Sequence, residues 1–200
     1  MYDLEEKTIN NFVLNKLQTI DPIIYVNLID MGKSDDFDFV MADGSLAVEI
    51  TAIIDDNLRK LVQYEKALSL GKEPDRGKIN AISYNEDFSI GKMPGCTLHE
   101  ARNICINALI AKNKKLQRRM GKGQRYQQYV LCLCLYEIPF FENINEFAFI
   151  NEYFDMTSFD KLYMWTSDRV YIYDKREANV ILYKFIHHTE SEPLEPRTLT

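Results

Sequence analysis

The sequence lacks the features that would mark a membrane or secreted protein. No apolar run approaches the roughly 18 to 20 residues needed to span a bilayer, and the first residues, MYDLEEKTIN, contain no basic segment followed by an apolar one. The sequence also has no P-loop, no G-x-G-x-x-G, no G-x-S-x-G and no H-E-x-x-H. We therefore expect a cytoplasmic protein with no membrane partner, outside the enzyme classes that those motifs identify.

Cysteine and histidine are too few and too scattered to predict a metal centre. The chain has four Cys and three His, with no C-x-x-C pair and no zinc-finger spacing. Cys132 and Cys134 alternate within VLCLCLY, which is typical of small core residues of a strand. The sequence thus predicts reduced thiols and no zinc site.

The amino-acid content is that of one globular domain: 200 residues, 46% hydrophobic and 27% charged. We expect a single domain over 1–189, with a core over about 3–136, an extension over 137–189 and a disordered tail over 190–200. Periodicity and turn residues predict helices over 3–19, 55–70, 97–120 and 143–155, and a long loop over 71–96. Strands are predicted over 23–29, 37–42, 45–54, 128–136, 161–166, 169–174 and 179–186.

Charge is unevenly distributed along the chain. Residues 112–125 hold seven bases and no acids, whereas the rest of the chain has 17 bases against 30 acids. Such a segment suits contact with phosphate, although a solvated helix face is the alternative. The candidate nucleic-acid contacts are Lys114, Arg118, Arg119, Lys122 and Arg125.

The strongest hairpin signal is DFDFVMADGSLAVEIT, in which Asp43-Gly44 separates two alternating segments. A two-residue turn there places Phe39 opposite Val48, and the apolar alternation independently gives the same register. The face predicted to be apolar and buried carries Phe37, Phe39, Met41, Leu46, Val48 and Ile50.

On the other face of this hairpin, the same register puts Asp38 directly opposite Glu49. Opposed residues have Cβ atoms about 4.5–5.5 Å apart, so two carboxylates repel each other unless solvent, a proton or a cation intervenes. Mg²⁺ favours sites with one or two carboxylates. The pair is therefore a candidate site for Mg²⁺ or Mn²⁺, with an ordinary solvated face as the alternative.

The stretch Asp38-Phe39-Val40…Asp43-Gly44…Val48-Glu49-Ile50-Thr51 resembles the core hairpin of PD-(D/E)XK, or restriction-endonuclease-like, nucleases. The resemblance implies an α/β fold with a restriction-endonuclease-like core (helix, three-strand antiparallel meander, helix, strand) and a C-terminal antiparallel extension. It also implies a Mg-dependent nuclease that hydrolyses phosphodiester bonds of nucleic acid, with DNA favoured. Such domains recur in bacterial defence systems and mobile elements.

Carried over to this sequence, the resemblance makes Asp38, Glu49 and the carbonyl of Ile50 the metal ligands. Phe37 stands where the family often has Pro, which is a minor departure. Thr51 stands where the family has Lys, giving E-x-T in place of E-x-K. A Thr hydroxyl cannot supply the positive charge of that Lys, so activity requires a lysine from elsewhere.

The helix predicted over 97–120 offers that lysine. Its stripe of small residues continues C-terminally to Lys112 and Lys115, whereas Lys114 points to the opposite side. We expect one of the two to assist catalysis; the alternative is that both extend into solvent from a helix end. On the first helix, Glu5 and Glu6 are equally placed to supply a third acid, or to interact only with the helix dipole.

Two other functions stay open from the sequence. Thr51 favours a catalytically inactive nuclease-like fold that serves as a nucleic-acid-binding or assembly module. A protein-interaction surface is the second alternative, and a homodimer or a partner protein is compatible with it. That surface would be built by aromatic residues of the C-terminal strands, although an ordinary core role is favoured for them; they are Tyr163, Trp165, Tyr171 and Tyr173.

Overall fold

The computed structural model describes residues 2–31, 37–54, 67, 69–71, 83–84, 90–92, 97–136, 141, 143–166 and 169–184. The helices are α1 (Tyr2–Ile20), α2 (Pro22–Tyr25), α3 (Leu98–Gly121), α4 (Ile144–Phe147) and α5 (Asn151–Asp155), with a 3-10 turn at Ala148–Ile150. The strands are β1 (Leu28–Asp30), β2 (Phe39–Met41), β3 (Leu46–Ile54), β4 (Ser83–Tyr84), β5 (Ile90–Lys92), β6 (Gln128–Tyr136), β7 (Lys161–Trp165), β8 (Arg169–Asp174) and β9 (Asn179–Lys184).

Seven strands form one mixed sheet in the order β1-β2-β3-β6-β7-β8-β9, and β4 and β5 form a separate two-stranded ladder. The first three strands are an antiparallel meander, β3 runs parallel to β6 and β6 runs parallel to β7. The last three strands are again antiparallel. Since parallel neighbours require a crossover, the chain passes through α3 between β3 and β6. The predicted α/β class is confirmed.

Hydrophobic clusters cover both faces of the sheet. The α3 face buries Ala101, Cys105, Leu109 and Leu116 of the helix against Leu131, Leu133 and Leu135 of β6. The α1 face buries Val13 and Leu17 against Val48, Ile50 and Val130. Burial on both faces explains why β3 and β6 are almost continuously apolar in sequence, and it makes any charged residue on these strands exceptional.

Helix α3 is held at both ends as its sequence predicts. The backbone N–H of Glu100 donates to Thr97 Oγ1 at 3.2 Å, and the N–H of Thr97 donates to Glu100 Oε2 at 2.8 Å, so the predicted capping box is confirmed. At the other end the Lys122 N–H donates to the carbonyl of Arg118, and Gly123 has a φ of 92°. These caps set the length of the helix that carries Lys112, Lys115 and Arg119.

Three predicted elements differ from the structure. The strand predicted over 23–29 begins only at Leu28, because the Asp21 side chain accepts from the Ile24 N–H and Pro22 favours a first helical turn. The loop predicted over 71–96 contains the β4–β5 ladder. The helix predicted over 143–155 is interrupted by the 3-10 turn.

Other sequence predictions lie wholly or largely outside the described residues. Of the helix predicted over 55–70, only residues 67, 69 and 70 are described, and the tail over 190–200 is outside them. The single-domain division stays a prediction. Within the described part of the chain, no helix combines the length and apolar character that crossing a membrane requires.

Candidate functional site

The candidate site lies where the pairing between β2 and β3 stops. The hairpin register is as predicted, with Phe39 opposite Val48 and Val40 opposite Ala47. Beyond this pair the chain bends at Asp38, whose N–H donates to the Val48 carbonyl at 3.0 Å. The Ile50 N–H then donates to Asp38 Oδ2 at 2.6 Å. A side chain thus replaces the backbone partner that a buried strand N–H requires.

The bend corrects the predicted faces of the hairpin. Phe37 was expected beside Phe39 on one apolar face, but Phe37 packs in the α3-side cluster and Phe39 in the α1-side cluster. The ladder ends at Phe39, so Asp38 does not form a regular cross-strand pair with Glu49. Strict alternation predicted both the shared face of Phe37 and Phe39 and the pairing of Asp38 with Glu49. Alternation holds only while the strand stays regular.

Glu49 is the most unusual residue of the site, because it is only 2% exposed in the middle of β3. Its Oε1 accepts from Lys112 Nζ at 2.6 Å and from Lys115 Nζ at 3.2 Å. Its Oε2 accepts from Arg119 Nη1 at 2.6 Å. Burial pushes the pKa of Glu49 upward, but Lys112, Arg119 and Lys115 outweigh burial and hold that pKa below its usual value. Glu49 is therefore ionised at neutral pH.

The pKa of Asp38 shifts in the opposite direction to that of Glu49. Burial, and then the negative charge of Glu49, raise the pKa of Asp38 to about 6, although the Ile50 N–H and the α3 lysines work against the shift. Among the described residues, only the Ile50 N–H donates to this carboxyl, and it contacts Oδ2. The negative charge of Glu49 is thus compensated by three cations, whereas that of the neighbouring Asp38 is poorly compensated. Among the described residues, Asp38 Oδ1 accepts no hydrogen bond, so this oxygen is available to a ligand.

The cations of the site come from one stripe of α3. Lys112, Lys115 and Arg119 are three or four residues apart, so they follow one another along the helix face that also buries Leu109 and Leu116. Lys112 also donates to the Ile50 carbonyl at 3.1 Å. Sequence reasoning selected Lys112 and Lys115 for this position.

Arg119 is the residue whose position sequence reasoning missed. It was expected to contact nucleic acid at the surface, but it is 5% exposed and its guanidinium lies 4.6 Å from the Phe37 ring centroid. Continuing the Lys112 stripe by one more turn would have found it. The other expected nucleic-acid contacts are all exposed, namely Lys114, Arg118, Lys122 and Arg125.

The donor set suits a hard divalent cation. Asp38, Glu49 and the Ile50 carbonyl supply only oxygen atoms, which is the chemistry that Mg²⁺ and Mn²⁺ prefer. Two carboxylates match the number that Mg²⁺ uses when a substrate phosphate completes its shell. In the part of the chain that is described, no three or more His, Cys, Asp or Glu residues cluster as a metal site. Glu5 and Glu6 lie on α1, but their side chains are outside the described residues.

The C-terminal aromatic residues do not form the exposed surface that a protein-interaction role requires. Tyr163, Trp165, Tyr171 and Tyr173 are each 9% exposed or less. Tyr163 stacks on Trp165, and its hydroxyl lies 2.8 Å from that of Tyr25 within the α1-side cluster. These side chains belong to the core, so the burial that the sequence favoured for them over an interaction surface is confirmed.

Comparisons of the chain with protein-family models, with curated proteins and with solved structures found no match. The resemblance to PD-(D/E)XK nucleases therefore stays a prediction from the sequence of the hairpin. Any function must be argued from the geometry around Glu49, because no relative supplies one by analogy.

Proposed function

We propose that this chain is a Mg-dependent nuclease that hydrolyses phosphodiester bonds, with DNA as the favoured substrate. The observation that carries the proposal is the convergence of Asp38, Glu49 and the Ile50 carbonyl at one point of β3, against lysines from α3. Burying the charge of Glu49, which is only 2% exposed on a strand buried on both faces, costs hydration even when the charge is paired, so its presence supports a functional role. Bacterial defence or a mobile element is the context that the family resemblance suggests.

The residues have distinct roles in this proposal. Asp38, Glu49 and the Ile50 carbonyl would hold Mg²⁺ or Mn²⁺, and the bound ion would activate water and offset charge on the phosphate. Lys112 and Lys115 supply the positive charge that Thr51 cannot, at the side of the site formed by α3. They hold the substrate phosphate by direct attraction and hydrogen bonding.

The exposed bases of α3 and the following turn extend this positive charge away from the site. Lys114, Arg118, Lys122 and Arg125 are all exposed, whereas Arg119 is buried. Contacts of this kind fix the backbone of nucleic acid without reading its sequence. The proposal therefore includes no sequence preference.

The direct test is metal-dependent cleavage of labelled DNA and RNA by protein stripped with EDTA. We expect cleavage only after Mg²⁺ or Mn²⁺ is added, and loss of most activity in Asp38→Asn and Glu49→Gln. Asp43→Asn is the matched control, because Asp43 lies in the exposed turn of the same hairpin and Asn can keep the turn. Cleavage that persists in EDTA, or that is equal in Asp38→Asn and the wild type, would contradict the proposal.

A nucleic-acid-binding module without catalysis is the second candidate, and a specific observation favours it. Both oxygens of Glu49 and the carbonyl of Ile50 already accept hydrogen bonds from α3 cations. Thr51 also leaves the expected lysine position without charge. Salt-dependent binding of DNA or RNA, with no cleavage in either metal ion, would favour this candidate over the enzyme.

A further inference from the structure

We propose that Lys112 and the divalent cation compete for the same oxygen atoms, so that metal binds this site by displacing the Lys112 ammonium group. The inference rests on the proposed function, because it concerns the ion that Asp38, Glu49 and Ile50 would hold. It adds a regulatory property of that site: the lysine that assists cleavage also weakens metal binding.

The contacts of Lys112 carry the proposal. Its Nζ lies 2.6 Å from Glu49 Oε1 and 3.1 Å from the Ile50 carbonyl oxygen, which are two of the three proposed metal ligands. An ammonium group has three N–H donors, and two of them are directed at these atoms. A single cationic group thus holds a backbone oxygen and a carboxylate oxygen together, as a divalent ion would.

A divalent ion and this ammonium cannot both stay on these oxygens. Mg²⁺ binds its oxygen ligands at about 2.0–2.1 Å, well inside the distances that Lys112 keeps. A dication that close to an ammonium group is strongly repelled, and more so in a site that excludes water. Lys112 has a flexible four-carbon stem and is 22% exposed, so it has a path away from the oxygens towards solvent.

The neighbouring cations compete less or not at all. Lys115 contacts Oε1 of Glu49 at the longer distance of 3.2 Å, and its side chain is 39% exposed, so solvent screens its charge more. Arg119 holds the other oxygen, Oε2, and leaves Oε1 directed towards Lys112. Lys114 is exposed on the outer face of the same helix. The three lysines therefore form a graded series for a substitution experiment.

The experiment measures Mn²⁺ affinity, by calorimetry or by the electron paramagnetic resonance signal of free Mn²⁺, in EDTA-stripped protein. We expect Lys112→Met to bind Mn²⁺ at least about tenfold more tightly than the wild type, because the substitution removes one positive charge that repels the ion. Lys115→Met should tighten binding less, and Lys114→Met, the matched control, should leave it unchanged. Cleavage by Lys112→Met should nevertheless be slower.

The outcomes separate this inference from the proposed function. Equal or weaker Mn²⁺ binding by Lys112→Met, with binding by the wild type intact, overturns the competition and leaves the nuclease proposal standing. Absence of Mn²⁺ binding by both proteins overturns the two together. Slower cleavage without tighter binding would make Lys112 a phosphate contact only, and it also contradicts competition.

A second measurement uses only the wild-type protein, in case Lys112→Met fails to fold. Acetylation of lysine amines, followed residue by residue by mass spectrometry, reports how free each amine is. We expect Mn²⁺ to raise the labelling rate of Lys112 by several-fold relative to that of Lys114. An unchanged or lower rate at Lys112 in saturating Mn²⁺ would refute displacement.

Discussion

The two faces of helix α3 carry similar residues in different surroundings. On the inner face, Lys112, Lys115 and Arg119 meet one buried carboxylate, Glu49. On the outer face, Lys114 and Arg118 are exposed. The number of bases in this segment therefore says little about function, whereas their helical phase decides which of them contact the site.

The ion pairs of the two faces also differ in how much they contribute to the free energy of unfolding. Exposed ion pairs contribute about 0–1 kcal/mol, because water and salt screen them. A buried charge loses hydration, so removing one partner of a buried pair typically costs about 3–5 kcal/mol. Substitutions on the inner face should therefore affect stability and chemistry, whereas those on the outer face should affect only long-range attraction of nucleic acid.

The largest expected effect is loss of stability in Arg119→Met. We expect the free energy of unfolding to fall by about 3 kcal/mol, the lower end for a broken buried pair, because Lys112 and Lys115 still compensate Glu49. Arg118→Met on the outer face should stay within about 0.5 kcal/mol. Urea denaturation of both variants measures the difference, and equal losses would break the distinction between the faces.

The next effect concerns cleavage. Lys112→Ala should slow single-turnover cleavage by on the order of 10²-fold, as the loss of a preorganised charge does, while Lys114→Ala should leave the chemical step nearly unchanged. Single-turnover conditions with saturating protein and Mn²⁺ separate chemistry from weaker substrate binding. If an active wild type and both variants cleave at the same rate, the inner-face lysine has no role in the reaction.

A smaller effect follows from the pH dependence of Asp38. Its pKa rises from 3.8 to about 6 on folding, so between those pH values the folded state holds a proton that the unfolded state releases. This group's contribution to stability is therefore present below about pH 4 and is lost as pH rises through 6.

Asp38→Asn removes that titration and keeps the shape of the side chain. We expect the free energy of unfolding of this variant, relative to that of the wild type, to increase as pH rises from 4 to 7. Urea denaturation at each pH measures this difference. Glu49, whose pKa shifts downward, is present in both proteins and so largely cancels. Parallel stability curves would show that Asp38 is better compensated than its contacts indicate.

The smallest expected effect belongs to the outer face. Replacing Lys114, Arg118 and Lys122 together by Ala should weaken nucleic-acid binding without unfolding the protein, because all three are exposed. The log–log dependence of affinity on salt should flatten by up to about 0.9 per lost duplex phosphate contact. Unchanged affinity and an unchanged slope would show that the bases of the outer face do not contact nucleic acid.

The sequence predicted the parts of the site that depend on regular periodicity. The Asp43-Gly44 turn and strict alternation were enough for the pairing of Phe39 with Val48. The 100° phase of a helix was enough to select Lys112 and Lys115 over Lys114. The capping box and strand β6 were also confirmed, since each depends on residues close together in the chain.

Predictions from the sequence were wrong where the backbone leaves regular strand or helix geometry, or where an element is too short to show a period. A bend at Asp38 moves Phe37 to the opposite side of the sheet, and no residue pattern marks that bend. Arg119 was assigned to the surface because basic residues usually lie there, although its phase matched that of Lys112. The short strands β4 and β5 carry too few residues for any period to be read.

The residue pattern alone specifies which side chains are available to this site: two acids at fixed positions of a hairpin and a row of bases on one helical stripe. How their charges are compensated depends on packing, which leaves Glu49 ionised among three cations and raises the pKa of Asp38 to about 6. The physical reason is that hydration and charge–charge distances are properties of packing. They exist only once α3 lies across β3 and water has been excluded from between them.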